Sequence, residues 1–344
     1  MDDTTSIIST HGLTKTFGKL VAVNNLHLQV MRGDVFGFLG PNGSGKTTTI
    51  RMLLGLIRPT AGRATLFGLD NAQHLPAILR RSGAIVENPI FYPYLSGLDN
   101  LRVIAVNSGM LGGKANDHRF TEVLEIVDLR GNEKRAYRTY SLGMKQRLGL
   151  AATLLTDPEL ILLDEPTNGL DPAGMIEIRR LIKRLSAQGK TIFLSSHLLS
   201  EVQQLCNRVA ILRKGNLVKQ GNVQDLLQGD EEIEVRMATE EQTQAALGIL
   251  QQLQPRGADW IAGVSIERNR HDQAVLRINA PIVRSPEVNM LLARNNLFAA
   301  EIHPHEGNLE ELYLQATTPT DLVGARETLA GASPEEARSE KGDL

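Results

Sequence analysis

Short apolar runs alternate with stretches of spaced apolar residues over roughly the first 225 positions of the chain. Val35–Leu39, Ala84–Val86, Leu160–Leu163, Thr191–Ser195 and Val209–Leu212 are brief, apolar and bounded by polar or turn residues, the pattern of strands covered on both faces. Their alternation with helix-like segments predicts an α/β unit with a largely parallel core sheet. Between Phe91 and Thr156 the pattern turns mainly helical. Leu98–Ser108, Phe120–Val127 and Ser141–Leu155 carry spaced apolar residues, which predicts a helical insertion over about residues 91–156.

A second pattern begins near Gly229-Asp230. Strand-like Glu232–Met237 precedes helix-like Glu240–Leu253, then strand-like Gly263–Arg268 and Ala274–Ile278, helix-like Glu287–Asn295, strand-like Leu297–Ile302 and helix-like Leu309–Ala316. That order predicts a small α+β domain of split-βαβ type. The expected organisation is an α/β domain over 1–228, a small α+β domain over 229–316 and a flexible tail over 317–344, where large apolar residues become scarce.

Composition narrows the class rather than defining it. A net charge of −2 gives no electrostatic case for nucleic acid as a partner. No apolar run reaches the length of a membrane span, and the acidic start MDDTTSIIST lacks the pattern of a secretory signal. The single cysteine, Cys206, follows an amphipathic helix-like segment and reads as a small core residue. His303 and His305 flank Pro304 without further ligands at metal spacing, so no zinc site is expected.

The chemistry concentrates first in Gly40-Pro41-Asn42-Gly43-Ser44-Gly45-Lys46-Thr47, which fits the phosphate-loop pattern G-x-x-x-x-G-K-[ST]. It lies where it must, after an apolar strand candidate and before helix-like Thr48–Leu56. Glycines let the backbone curl round an anion with successive N–H groups pointing inward, and the helix N-terminus adds a favourable dipole. Lys46 would reach the β- and γ-phosphates and the Thr47 hydroxyl would ligate Mg²⁺. The expected ligands are therefore a nucleoside triphosphate and Mg²⁺.

Two further strand candidates end in chemistry. Leu160–Leu163 runs into Asp164 and Glu165; the first can hold the Mg²⁺ hydration shell and the second can polarise the attacking water. Thr191–Ser195 runs into Ser196 and His197, whose imidazole can bridge the γ-phosphate and that water.

With these residues in order, the chain resembles the ATP-binding cassette family, the nucleotide-binding subunits of ABC transporters. Leu13–Val23 looks like the segment whose aromatic residue, here Phe17, stacks on adenine; Gly40–Thr48 is the phosphate loop; Leu160–Asp171 covers the magnesium strand and D-loop; Leu194–Val202 carries the switch histidine. Tyr140–Ala151, YSLGMKQRLGLA, occupies the place of the family signature LSGGQ. The resemblance implies that Ser141 and Gly143 clasp the γ-phosphate bound by the opposite subunit of a head-to-tail homodimer. It also implies a separate membrane permease and a cytoplasmic location, peripheral on the inner face of the membrane.

Two departures from the family pattern are visible. Leu142 and Met144 replace a glycine and a glutamine of the signature, and Glu87 stands where the family usually places a metal-ligating glutamine. Both are similar to the bacitracin-export and lantibiotic-immunity branch, and Gly307–Leu314 resembles the C-terminal ending of that branch. The branch implies an ABC-2-type permease and export of a peptide antibiotic or drug. Phe91, Tyr92 and Tyr94 follow the Glu87 loop, where the family receives a permease helix; local packing is an equally good reading of them. A non-transport ABC ATPase acting on ribosomes or chromosomes is the alternative, but this chain has one phosphate loop, no heptad run and no basic bias.

Overall fold

Strands that are apolar at every position need cover on both faces, and the central sheet provides it. A computed structural model describes residues 6–87, 89–110, 114–228, 231–253, 258–269, 272–305 and 313. Among them, β1 (Ser6–Phe17), β2 (Leu20–Met31), β4 (Ala61–Leu66) and β5 (Leu69–Asp70) form an antiparallel sheet in the order β2-β1-β4-β5. A six-stranded sheet runs β10-β9-β3-β8-β7-β6, from β3 (Val35–Leu39), β6 (Ser82–Ile85), β7 (Leu160–Asp164), β8 (Thr191–Ser196), β9 (Arg208–Arg213) and β10 (Asn216–Asn222). From β9 to β6 all neighbours are parallel; β10 pairs antiparallel at the edge.

Successive side chains of the inner strands enter different cores. Ile161, Leu163, Ile192, Leu194, Val209 and Ile211 join one cluster, with α3 (Gly97–Asn107), α5 (Leu142–Leu154) and α6 (Pro172–Ala187). Phe36, Phe38, Leu160, Leu162, Phe193 and Ala210 join the other, with α1 (Lys46–Leu53) and the antiparallel sheet. Phe193 stacks on Phe36 at 5.7 Å and tilts against Phe38 at 5.2 Å. The antiparallel sheet was not among the expected strands, although Leu26, Leu28 and Val30 alternate buried with the more exposed His27 and Gln29.

The remaining helices of this part are α2 (Leu75–Leu79), α4 (Lys114–Ile126), α7 (Leu199–Leu205) and α8 (Val223–Gln228). Gly37 lets α7 approach β3: a Cβ there would lie 2.5 Å from Val202 Cγ1 and 3.0 Å from Cys206 Sγ. Burial pushes the Cys206 thiol far above its ordinary value, the environment of a core residue rather than a nucleophile.

The third sheet combines β11 (Glu232–Arg236), β12 (Gly263–Arg268), β13 (Ala274–Asn279) and β14 (Glu301–His305) in the order β12-β13-β11-β14, all antiparallel. With α9 (Glu240–Leu253) and α10 (Ser285–Arg294) the chain order is βαββαβ, and Ile233, Val235, Leu250, Leu276, Ile278 and Leu292 make its own core. The last strand starts later than the expected Leu297–Ile302. Leu297 still donates its N–H back to Leu292, Asn296 turns the chain at φ 58°, and pairing with β11 begins only at Ala300. The expected helix Leu309–Ala316, the ending Gly307–Leu314 and the tail 317–344 fall outside the described residues except for Tyr313, which is helical and packs on the α5–α6 cluster.

Candidate functional site

β3 delivers the chain into the phosphate loop at a point with no room for side chains. A Cβ on Gly40 would stand 2.7 Å from the Leu212 carbonyl, and one on Gly45 would stand 2.4 Å from the Ala22 carbonyl. Gly43 and Gly45 adopt φ of 78° and 106°, the left-handed region that favours glycine. α1 begins at Lys46 without a side-chain cap, so its first N–H groups stay available at the loop. The Ser44 hydroxyl is buried with no hydrogen-bond partner among the described residues. An orphaned buried hydroxyl beside an uncapped helix start suits an oxyanion.

Lys46 is 5% exposed, and its ammonium donates to the Gly40 carbonyl at 2.7 Å and the Pro41 carbonyl at 3.2 Å. It also lies 3.1 Å from Glu165 Oε1. That contact is an ion pair by distance, without hydrogen-bond geometry at Oε1. Glu165 Oε2 meets His197 Nδ1 at 2.7 Å. The result is a chain of ammonium, carboxylate and imidazole along one side of the loop.

The parallel register of β7 and β8 sets this chain. Asp164 pairs with Ser195, so the two strand ends bring their last residues together. Ser195 Oγ donates to Asp164 Oδ1 at 2.6 Å and accepts the Glu165 N–H at 3.0 Å. Glu165 itself sits at φ 48°, unusual for a residue with a Cβ. The sharp turn ends the strand and swings the carboxylate toward Lys46 instead of continuing along the sheet.

A cleft of about 510 Å³ opens beside these groups, within the range of small-ligand sites. Phe17, Leu20, Asn42, Gly45, Lys46, Thr47, Thr48 and Glu165 line it together with Lys214, which sequence reasoning missed. The Phe17 ring is half exposed at the end of β1, with the Lys15 ammonium 5.0 Å above it. The Thr47 hydroxyl and the buried Asp164 carboxylate are hard oxygen donors, a set that suits Mg²⁺.

Of the expected residues that do not line the cleft, Gly40, Pro41, Ser44, Asp164 and His197 belong to the loop or bond to its neighbours, whereas Ser141, Gly143 and Glu87 stand apart. Ser141 caps α5, its hydroxyl accepting the Met144 N–H at 3.3 Å, and a Cβ on Gly143 would meet nothing within 4 Å. Both stand at an open helix start. Glu87 has φ 64° and is 63% exposed, with its carboxylate on Arg51 of α1. Sequence reasoning also missed Ser195 and Arg51: a strand serine and a helix arginine carry no signal until the register and the fold place them.

The aromatic cluster divides. Phe91 is buried and meets the Tyr137 ring at 5.2 Å, whereas Tyr92 and Tyr94 are exposed. Ile90, 93% exposed, lies on a groove of about 750 Å³ with Leu79, Ile85, Pro89, Phe91 and Ile104. His303 lies 3.3 Å from Glu301, and among the described residues no group of His, Cys, Asp or Glu is arranged to hold a metal ion by itself.

Residues 23–168 match the family described as ABC transporter. A bacitracin transport ATP-binding protein of Bacillus licheniformis is 39% identical over 90% of this chain and 97% of its own length. A lantibiotic transport ATP-binding protein of Streptococcus pyogenes is 38% identical over 62% of this chain and 89% of its own. The solved structure of an ATP-binding subunit of an ABC transporter superposes with a TM-score of 0.58 at 27% identity, covering 64% of this chain and 91% of that one.

Proposed function

This chain belongs to the ABC transporter family as an ATP-binding, ATP-hydrolysing subunit, and on that premise we propose that it works as a homodimer driving a separate ABC-2-type permease in the export of a peptide antibiotic or drug. The observation that carries the reading is the Lys46–Glu165–His197 chain beside the phosphate loop, with Ser141 and Gly143 on an open helix start away from it.

Each residue then has a task. The N–H groups of Gly43–Thr48 and the Lys46 ammonium hold the phosphates, and Phe17 stacks on the adenine. Thr47 and Asp164 would hold Mg²⁺, which neutralises phosphate charge when bound. Glu87 would join them after leaving Arg51. Phosphate oxygens compete with Glu165 for Lys46, so substrate binding releases the carboxylate from its ion pair. Glu165 then takes the proton of the attacking water, and His197 holds the carboxylate and the γ-phosphate in register. Ser141 and Gly143 of the second copy would close on that phosphate with the start of α5, whose remaining first-turn N–H groups and dipole face an anion.

The groove lined by Ile90 supports a permease contact, since an exposed apolar residue on a concave surface, followed in the chain by the exposed Tyr92, suits an incoming apolar helix. None of the helices among the described residues is long and apolar enough to cross a membrane. A peripheral position on the cytoplasmic face of the membrane belongs to the same proposal, as does a division of the chain near residue 229, supported by the separate third sheet and its core. The names of the bacitracin and lantibiotic relatives support a peptide antibiotic as cargo.

Replacing Glu165 by Gln tests the assignment. Turnover should fall roughly 10²–10⁴-fold, the range for losing a general base, while ATP binding persists and an ATP-bound dimer accumulates on light scattering. Hydrolysis at the wild-type rate would remove the role given to Glu165.

A further inference from the structure

Glu201 is the buried acid that the chemistry above does not use. It sits in the first turn of α7, is 2% exposed, and gathers groups from three separate segments. Its Oε2 accepts from Thr167 Oγ1 at 2.7 Å and from Ser196 Oγ at 3.3 Å, and its Oε1 accepts from the Arg179 guanidinium of α6 at 3.3 Å. Thr167 and Ser196 are themselves 6% and 2% exposed.

These partners are placed with respect to the reacting groups. Thr167 lies in the turn after Glu165, closed by the Asn168 N–H to the Glu165 carbonyl at 3.0 Å. Ser196 immediately precedes His197, and its carbonyl accepts the Gly40 N–H at the start of the phosphate loop at 3.3 Å. One carboxylate therefore ties the turn that aims Glu165 to the strand end that aims His197. The tie matters because Glu165 is held at a positive φ, a conformation that persists only when its surroundings impose it.

We propose that Glu201 is a positioning residue for ATP hydrolysis, fixing Glu165 and His197 relative to one another through Thr167 and Ser196. The inference rests on the roles given to Glu165 and His197 above. It does not extend to nucleotide binding, because none of Glu201, Thr167 and Ser196 lines the cleft. Losing the tie leaves the phosphate loop intact and lets the carboxylate and the imidazole drift. Displacements of about 1 Å at a reacting group cost up to about 10²-fold in rate.

The experiment compares Thr167→Val, Glu201→Gln, Glu201→Ala and Glu165→Gln in the full chain, reading kcat, equilibrium binding of a fluorescent ATP analogue, and melting temperature. Thr167→Val removes only the hydroxyl at nearly constant volume, so it reports even if Glu201→Ala does not fold. Thr167→Val and Glu201→Ala should lower kcat roughly 10- to 100-fold with binding unchanged within about twofold. Glu201→Gln, which keeps an acceptor for Thr167, should recover most of the rate. Gln204→Ala, which removes the other partner of Arg179 at 3.1 Å, should keep the wild-type kcat. Wild-type kcat in folded Thr167→Val, or parallel loss of binding and rate, overturns the positioning role while a dead Glu165→Gln leaves the Glu165 assignment standing. An active Glu165→Gln overturns both.

Discussion

Gly45 shows how narrowly a single residue is constrained at this site. Its φ of 106° and the 2.4 Å approach that a Cβ would make to the Ala22 carbonyl forbid a side chain on two independent grounds. A left-handed backbone costs an L-residue about 1–2 kcal/mol, and the clash is with backbone, which cannot swing away. Gly45→Ala should therefore weaken ATP binding at least about tenfold, a loss of roughly 1.4 kcal/mol. Gly189→Ala is the control. It has a similar φ of 81° but open space around it, so it should lower stability by about 1 kcal/mol and leave binding intact. Calorimetric titration of both variants checks the contrast. At this scale the loop was legible because its glycines and Lys46 follow a fixed spacing in the chain. Glu201 was not: a glutamate in a helix-like stretch reads as a solvated residue, and only the packing of α7 under Thr167 and Ser196 buries it.

Elements were legible to the extent that their burial is uniform. β3, β7, β8 and β9 read as continuous apolar runs because both faces of the sheet are covered. β1 and β2 escaped, since β1 buries polar Ser9 and Thr10 beside Ile7 and Ile8, and β2 alternates apolar with polar residues instead of running continuously apolar. What no periodicity contains is the order of the strands. Asp164 and Ser195 lie side by side because β7 and β8 are parallel neighbours, a fact of topology rather than of either segment. The same pairing makes β8 the mechanical centre of the sheet, with Phe193 enclosed by Phe36 and Phe38 at zero exposure. Phe193→Ala should lower unfolding free energy by about 3–5 kcal/mol in a urea titration. A change below about 1 kcal/mol would mean that the two phenylalanines of β3 repack without it.

At the scale of the molecule, two features point away from the chain itself. The signature residues Ser141 and Gly143 stand at an open helix start, Ile90 exposes apolar surface on a groove, and Tyr92 and Tyr94 are exposed just after it in the chain. An exposed helix start and an apolar groove both suit partners, one a second copy and the other a membrane protein. The sequence pointed to these partners only through its resemblance to a family, because cargo and permease are recorded in no residue of this chain. The most direct measurement is co-purification of tagged Glu165→Gln from native membranes in mild detergent with ATP and Mg²⁺, identifying bound chains by mass spectrometry. The account predicts a polytopic membrane protein in complex with a dimer of this chain, lost when Ile90 and Tyr92 are both replaced by Glu. A dimer recovered without any membrane protein, or bound to ribosomes or DNA, would contradict it.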